Sequence, residues 1–239
     1  MISAKIEKRE ILRRADSVRH MQVFDPTTDE YVTGFVSQPV GKWKYKTEIE
    51  PIVEIDGFCD ATKDAWLTVN RYNAVVLNSR TMLIADIDFG DERLNAYAGA
   101  RDVEEVIEGL DHLALLDEEL LEHDIKLPFA KQSYRIYRTH SGCRVICTSM
   151  CFPHPGLFGY AAKRFMQFLK SDPQYIALCD TQDCYRARLT PKPWRDNGNG
   201  GHVCYLRHTV GTTVHLELEM QLALHDEMTL SKSEYSSLA

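Results

Sequence analysis

The stretch "TMLIADIDFGDER", residues 81–93, carries a greasy run, Met82 to Ala85, that ends in two aspartates one residue apart, Asp86 and Asp88. Side chains alternate across a strand, so Met82, Ile84, Asp86 and Asp88 share one face and Leu83, Ala85, Ile87 and Phe89 the other. The second set is apolar throughout and belongs to the core. The aspartates project together, with Cα atoms about 7 Å apart at about 3.3 Å of rise per residue. Carboxylates that close repel and raise each other's pKa unless something neutralises them. Mg²⁺ or Mn²⁺ does so, through carboxylate oxygens and substrate phosphates. Such sites serve nucleotidyl transfer. The plainer alternative is a strand end meeting solvent, followed by the acidic turn "FGDER".

Outward from this strand the pattern alternates. "NAVVLN" and "TMLIADIDF" flank Ser79-Arg80, the spacing of a tight hairpin. "RDVEEVIEGLDHLALLDEELLEHD" has an apolar stripe at helical spacing, with Asp102 and Glu105 placed as an N-cap pair. "SYRIYRT" and "CRVICTS" make a second hairpin around "HSG". "LFGYAAKRFMQFLKSD" is an amphipathic helix stopped by Pro173, and "YIALC" with "CYRARLT" reads as a third strand pair. "HVCYLRHTV" reads as a strand and "VHLELEMQLALHDEMTL" as a final helix. Earlier, residues 4–20 have helical spacing, 24–41 suit a hairpin or irregular strands, and 48–72 are ambiguous, with "DATKDAWLTVNRY" able to form a helix. This order predicts an α+β fold with a mostly antiparallel sheet and helices packed on it. Residues 1–73 form an N-terminal accessory segment and 74–239 the core with a C-terminal helix.

Arginines concentrate in the second and third strand pairs. Arg186 and Arg188 share one strand face, and a guanidinium offers a planar fork of donors to a polyphosphate. Arg144 lies in the preceding hairpin, whose turn, His140-Ser141-Gly142, can offer backbone N–H groups and a hydroxyl to a phosphate. Cross-strand pairing of these arginines with acids is the structural alternative. In "LTPKPWRD", Trp194 can stack on a base while Lys192 and Arg195 touch its backbone.

Taken together, the D-x-D strand, the helix, "THSGCRVI" and the arginine strand "RARLTP" resemble the archaeo-eukaryotic primase (primase-polymerase) superfamily over roughly residues 74–195. The resemblance implies an RRM-like core, catalytic metal ligands at Asp86 and Asp88, and Ser141 near the phosphates. It also implies a third acid, for which Asp180 or Asp183 in "LCDTQDC" is the candidate. The family's motif histidine has no counterpart at its expected place, where Arg144 or Val145 stands, and His140 precedes Ser141 instead. The implied partners are a nucleoside triphosphate and single-stranded or primed nucleic acid. The alternative is a non-catalytic nucleotide or single-stranded nucleic-acid binder with an RRM-like sheet.

The chain of 239 residues carries a net charge of −7, which argues against coating nucleic acid by bulk electrostatics. Seven irregularly spaced cysteines argue against a secreted disulfide scaffold and for reduced thiols in the cytoplasm. No apolar run reaches transmembrane length. Cys179, Cys184, His202 and Cys204 are a candidate structural zinc set. Cys143, Cys147 and Cys151 read as small hydrophobes on one strand face, and His215 and His225 as packing or surface residues of the last helix.

Overall fold

The computed structural model describes residues 8–19, 22–25, 30–33, 53–55, 64–70, 74–89, 100–154, 156–191 and 202–229. In chain order these hold α1 (Lys8–Arg19), β1 (Gln22–Asp25), β2 (Glu30–Thr33), β3 (Val53–Ile55), β4 (Ala65–Val69), β5 (Val75–Ser79) and β6 (Ile84–Asp88). Then come α2 (Val103–Asp111), α3 (Leu113–Glu122), β7 (Tyr134–Thr139), β8 (Gly142–Cys147), α4 (Leu157–Phe168) and α5 (Pro173–Gln182). Last are β9 (Tyr185–Arg188), β10 (Cys204–Val210) and α6 (Glu219–Thr229). The architecture is α+β, as the alternation predicts. β1 and β2 form a hairpin, and two four-stranded antiparallel sheets run β10-β7-β8-β6 and β3-β4-β5-β9. The β4–β5 ladder joins residues on the two sides of position 73.

From β6 to β9 the chain runs β-α-β-β-α-β, the connection order expected of an RRM-like core. β6, β8 and β7 lie side by side in that order, all antiparallel. β9 runs alongside β6 but hydrogen-bonds to β5. Tyr175 of α5 fills the seam. Its hydroxyl lies 3.0 Å from both Ile84 O and Arg186 O and accepts from Arg186 N–H at 3.1 Å. Burial raises this phenol well above its ordinary pKa, so it stays protonated and able to donate. Asp172 N–H reaches Asp86 O at 3.1 Å. The outward carbonyls of edge strand β6 are therefore taken up by the start of α5, which blunts the edge.

Helix α4 covers one face of the β10-β7-β8-β6 sheet. Tyr134 stacks on Phe165, Phe165 on Phe129 and Phe129 on Phe152, with ring centroids 5.0–5.5 Å apart. These rings are all buried, as are Ala85, Ile87, Ile136, Cys143 and Val145. Helix α6 lies against the other face, where Tyr137 meets His225 edge-on at 4.7 Å.

Four sequence expectations are corrected here. β5 and β6 are not a hairpin but belong to different sheets. The Ser79 hydroxyl accepts from Thr81 and Met82 N–H (3.1 and 2.8 Å) and turns the chain between them. "YIALC" is helical, because Asp172 caps Gln174 N–H and Pro173 occupies the first turn, where its missing N–H costs nothing. Residues 65–69 form β4 rather than a helix, pairing with β3 and β5. The long helix over 101–124 is two, α2 and α3, divided at His112.

Candidate functional site

The β6–β8 register places Asp86 opposite Arg144 and Asp88 opposite Gly142. Directly opposed residues share a sheet face, so Asp86, Asp88 and Arg144 stand together. The Asp86 side chain is 40% exposed and that of Arg144 3%, with Nε 3.4 Å from Asp86 Oδ1. This is an ion-pair distance, longer than a well-formed hydrogen bond, and the buried Nε–H makes no hydrogen bond. Asp88 is exposed and accepts from the Ser141 hydroxyl at 3.3 Å. Phe89 N–H donates to Ser141 O at 2.9 Å, which ties the β7–β8 turn to the end of β6.

Gly142 permits this closeness. A Cβ there would lie 1.9 Å from Ile87 O and 2.9 Å from Asp88 Cα. Arg138 reaches back to the turn carbonyls Thr139 O and Gly142 O and lies over the Phe89 ring at 4.7 Å. The exposed end of β6 is thus a small, braced platform carrying Asp86, Asp88 and Ser141.

Behind it runs a buried polar relay. Arg144 NH1 donates to Arg188 O at 3.2 Å and to His225 Nε2 at 3.1 Å. A guanidinium only donates, so Nε2 accepts and the ring proton sits on Nδ1, which donates to Asp226 Oδ1 at 3.0 Å. Asp226 also accepts from the Tyr137 hydroxyl (2.8 Å) and from Arg135 (2.5 Å). Burial, and then the Arg144 charge, outweigh Asp226 and hold the His225 pKa down at about 4. The imidazole is neutral, a packed strut rather than a surface histidine.

The remaining expected residues are less tightly gathered. His140 sits exposed in the turn beside Ser141. Arg186 is buried, its guanidinium on Gln182, and Arg188 is half-buried with its carbonyl on Arg144. Asp180 does not join Asp86 and Asp88 in a ligand cluster, because it lies on α5, paired with Lys163 of α4. Asp183 faces His154 instead, with Nδ1 3.6 Å away. Lys192, Trp194 and Arg195 lie outside the described residues. Among the described residues, no helix is long and apolar enough to cross a membrane.

The zinc set is corrected as well. Cys179, Cys184, His202 and Cys204 do not converge, since Cys179 lies within α5 while Cys204 faces Thr139 across the β7–β10 ladder. A different group does converge. Cys151, beyond the end of β8, places Sγ 3.4 Å from His215 Nδ1 and 3.4 Å from Glu217 Oε2. His215 precedes a short 3₁₀ turn, Leu216–Leu218, rather than lying within α6. All three residues are half-buried. Burial first, then Glu217, push the Cys151 thiol up to about 12, with Asp64 close enough to add to the effect. One weak local signal points to this group, the His215-Leu216-Glu217 spacing. The cysteine stands 64 residues from the histidine. Compared with known protein families, curated proteins and solved structures, the chain matches none.

Proposed function

We propose that this chain is a metal-dependent nucleotidyltransferase core of the primase-polymerase kind, with Asp86 and Asp88 as its metal ligands. One observation carries the reading: two carboxylates stand on one face at the exposed end of β6, beside Ser141 and Arg144, in a β-α-β-β-α-β core. The donors fit Mg²⁺ or Mn²⁺. They are hard oxygens, and Asp86 is 40% exposed with a long ion-pair contact to Arg144. An ion bound there supplies neutralisation of phosphate charge during an in-line displacement. The chain's own residues do the positioning. Arg144 holds Asp86 in place from behind, and Ser141 with the turn amides lies where phosphate oxygens would rest. Arg186 acts through the scaffold rather than on the triphosphate, because its guanidinium is buried against Gln182.

A second reading, nucleotide or single-stranded nucleic-acid binding without chemistry, draws support from Asp180, which is engaged by Lys163 and leaves two acids at the platform. In that reading too, the ligand meets the end of β6, since α6 and the buried Tyr137 close the sheet face. The test is Mn²⁺ binding by electron paramagnetic resonance together with labelled-nucleotide incorporation, on native protein, Asp86→Asn and Asp88→Asn. Mn²⁺ binding and incorporation that both vanish in the variants support transfer. Binding without incorporation selects the second reading. A native protein with no affinity for Mn²⁺ ends the first.

A further inference from the structure

We infer that Cys151, His215 and Glu217 form a binding site for a zinc-class transition-metal ion that clasps the chain leading into α6 onto the core. The site is separate from the Asp86–Asp88 platform and does not depend on its function. Its chemistry differs, since a thiolate and an imidazole select borderline and soft ions, whereas paired aspartates select hard ones.

The spacing of the donor atoms carries the inference. A tetrahedral zinc holds sulfur at about 2.3 Å and nitrogen or oxygen at about 2.0–2.2 Å, which puts sulfur about 3.5 Å from each of the other donors. In this structure Sγ lies 3.4 Å from His215 Nδ1 and 3.4 Å from Glu217 Oε2. All three ligand atoms lie within 4.8 Å of one another, and this is the one such group among the described residues. The donors are already close to coordinating positions before any ion enters.

The backbone around them is tied down. Phe152 N–H donates to Thr81 O and His154 N–H to Arg80 O, both at 2.8 Å, which fixes the segment after Cys151. His215 N–H donates to Thr148 O at 2.7 Å, and the Thr148 hydroxyl to Thr213 O at 2.7 Å. Leu218 N–H closes the turn on His215 O at 2.9 Å. Pre-organised ligands lose little entropy on binding. Half-burial leaves an entry path.

A thiol–imidazole catalytic pair is the rival use of these residues. There the carboxylate belongs on the far ring nitrogen, whereas Glu217 lies against the sulfur. A carboxylate against sulfur opposes a free thiolate. A dication reverses that balance, and coordination releases the thiol proton to solvent. His215 Nδ1 also faces the Glu217 N–H at 3.4 Å, a long contact that coordination would replace. Three protein ligands leave a fourth position for water.

The consequence reaches the rest of the fold, because the 3₁₀ turn runs directly into α6, which carries His225 and Asp226 against Arg144. An ion at Cys151 therefore fastens the helix that holds the buried relay.

The experiment is titration of the metal-free full chain with Co²⁺, followed by Zn²⁺ displacement. The readout is the sulfur-to-cobalt charge-transfer band and the thermal midpoint. The expected result is one ion per chain, a thiolate–cobalt band bleached by zinc, and a midpoint raised by either ion. Cys151→Ser should lose the band. The near-isosteric Glu217→Gln and the variant His215→Ala should weaken binding by at least about tenfold, a loss that even outer-shell changes can produce. Should Cys151→Ser fail to fold, Glu217→Gln and the native titration still decide. A native protein without the band, a band that persists in a folded Cys151→Ser, or unchanged affinity in Glu217→Gln would overturn the assignment.

Discussion

Arg144 and Asp86 face each other across the β6–β8 ladder, the arginine buried and the aspartate half-exposed, with Nε 3.4 Å from Oδ1. This pairing answers how a greasy strand tolerates the first of its two aspartates. The cation comes from the next strand and is anchored from behind by Arg188 O and His225. Asp88 reaches solvent and the Ser141 hydroxyl. The Arg144 charge thus lies beside Asp86 at one end of the pair.

Replacing Arg144 with Met should therefore destabilise the fold from the inside. The His225 Nε2 lone pair and Arg188 O lose their buried donor, and Asp86 loses its partner. A loss of about 1–3 kcal/mol is expected in urea unfolding. Arg144→Lys should recover only part of it, since an ammonium lacks the planar guanidinium that places NH1 on Arg188 O and His225 while Nε stays beside Asp86. An unchanged urea midpoint in Arg144→Met would show that the relay does not hold the two elements together.

His225 gives the fold a pH dependence whose sign is fixed by burial. Its folded pKa of about 4 lies below the ordinary 6.5, so the unfolded chain takes up the proton first as pH falls. Stability is complete above about 6.5 and declines toward about 4, by about 3 kcal/mol in all. Lys170, donating a hydrogen bond, is the largest influence holding the Glu105 carboxyl down at about 2, so that group loses its contribution at lower pH. Burial also lowers the His154 pKa, so the comparison must be native against His225→Gln. The native-minus-variant difference in unfolding free energy should shrink across the window. A difference that stays flat would refute the neutral, buried imidazole.

Gly142 should not tolerate even a methyl group. In Gly142→Ala the new Cβ would press on Ile87 O at 1.9 Å, backbone that cannot yield without moving β6. The expected cost is about 1–3 kcal/mol in thermal or urea unfolding. Mn²⁺ affinity at Asp88 should fall with it, because the same strand end carries that carboxylate. Full stability with full affinity would mean that the platform is softer than its close contacts imply.

Local signals made much of the frame legible. The β7–β8 hairpin around "HSG", the α4 stripe and the α2 start were all readable, and Asp102 Oδ1 does accept from Glu105 N–H at 2.9 Å. Expectations failed where one local signal serves two outcomes. Ser79-Arg80 looks like a hairpin turn, yet its serine turns the chain from one sheet into another. Pro173 reads as the stop of one helix but begins the next, since α4 already ends at Phe168, ahead of Lys170 with its φ of 57°. The pairings at the candidate sites were beyond a reading of one sequence. Arg144 meets Asp86 through strand register, and Cys151 meets His215 across 64 residues.

Tyr175 carries the seam that makes the two sheets adjacent. Its hydroxyl stands in for a direct β6–β9 ladder by sharing its one proton between Ile84 O and Arg186 O and accepting from Arg186 N–H, at 3.0–3.1 Å. Tyr175→Phe keeps the ring and removes only that oxygen, so packing changes little and three backbone groups lose a partner. A penalty of about 1–3 kcal/mol is expected, the cost of leaving buried polar groups unsatisfied. Hydrogen exchange should report where the loss falls. The Arg186 amide donates directly to the missing oxygen and should exchange faster, while the β7–β8 amides, paired within their own hairpin, should hold. Equal acceleration across both sheets would mean that the phenol supports the whole core. No acceleration at Arg186 would mean that it supports neither strand.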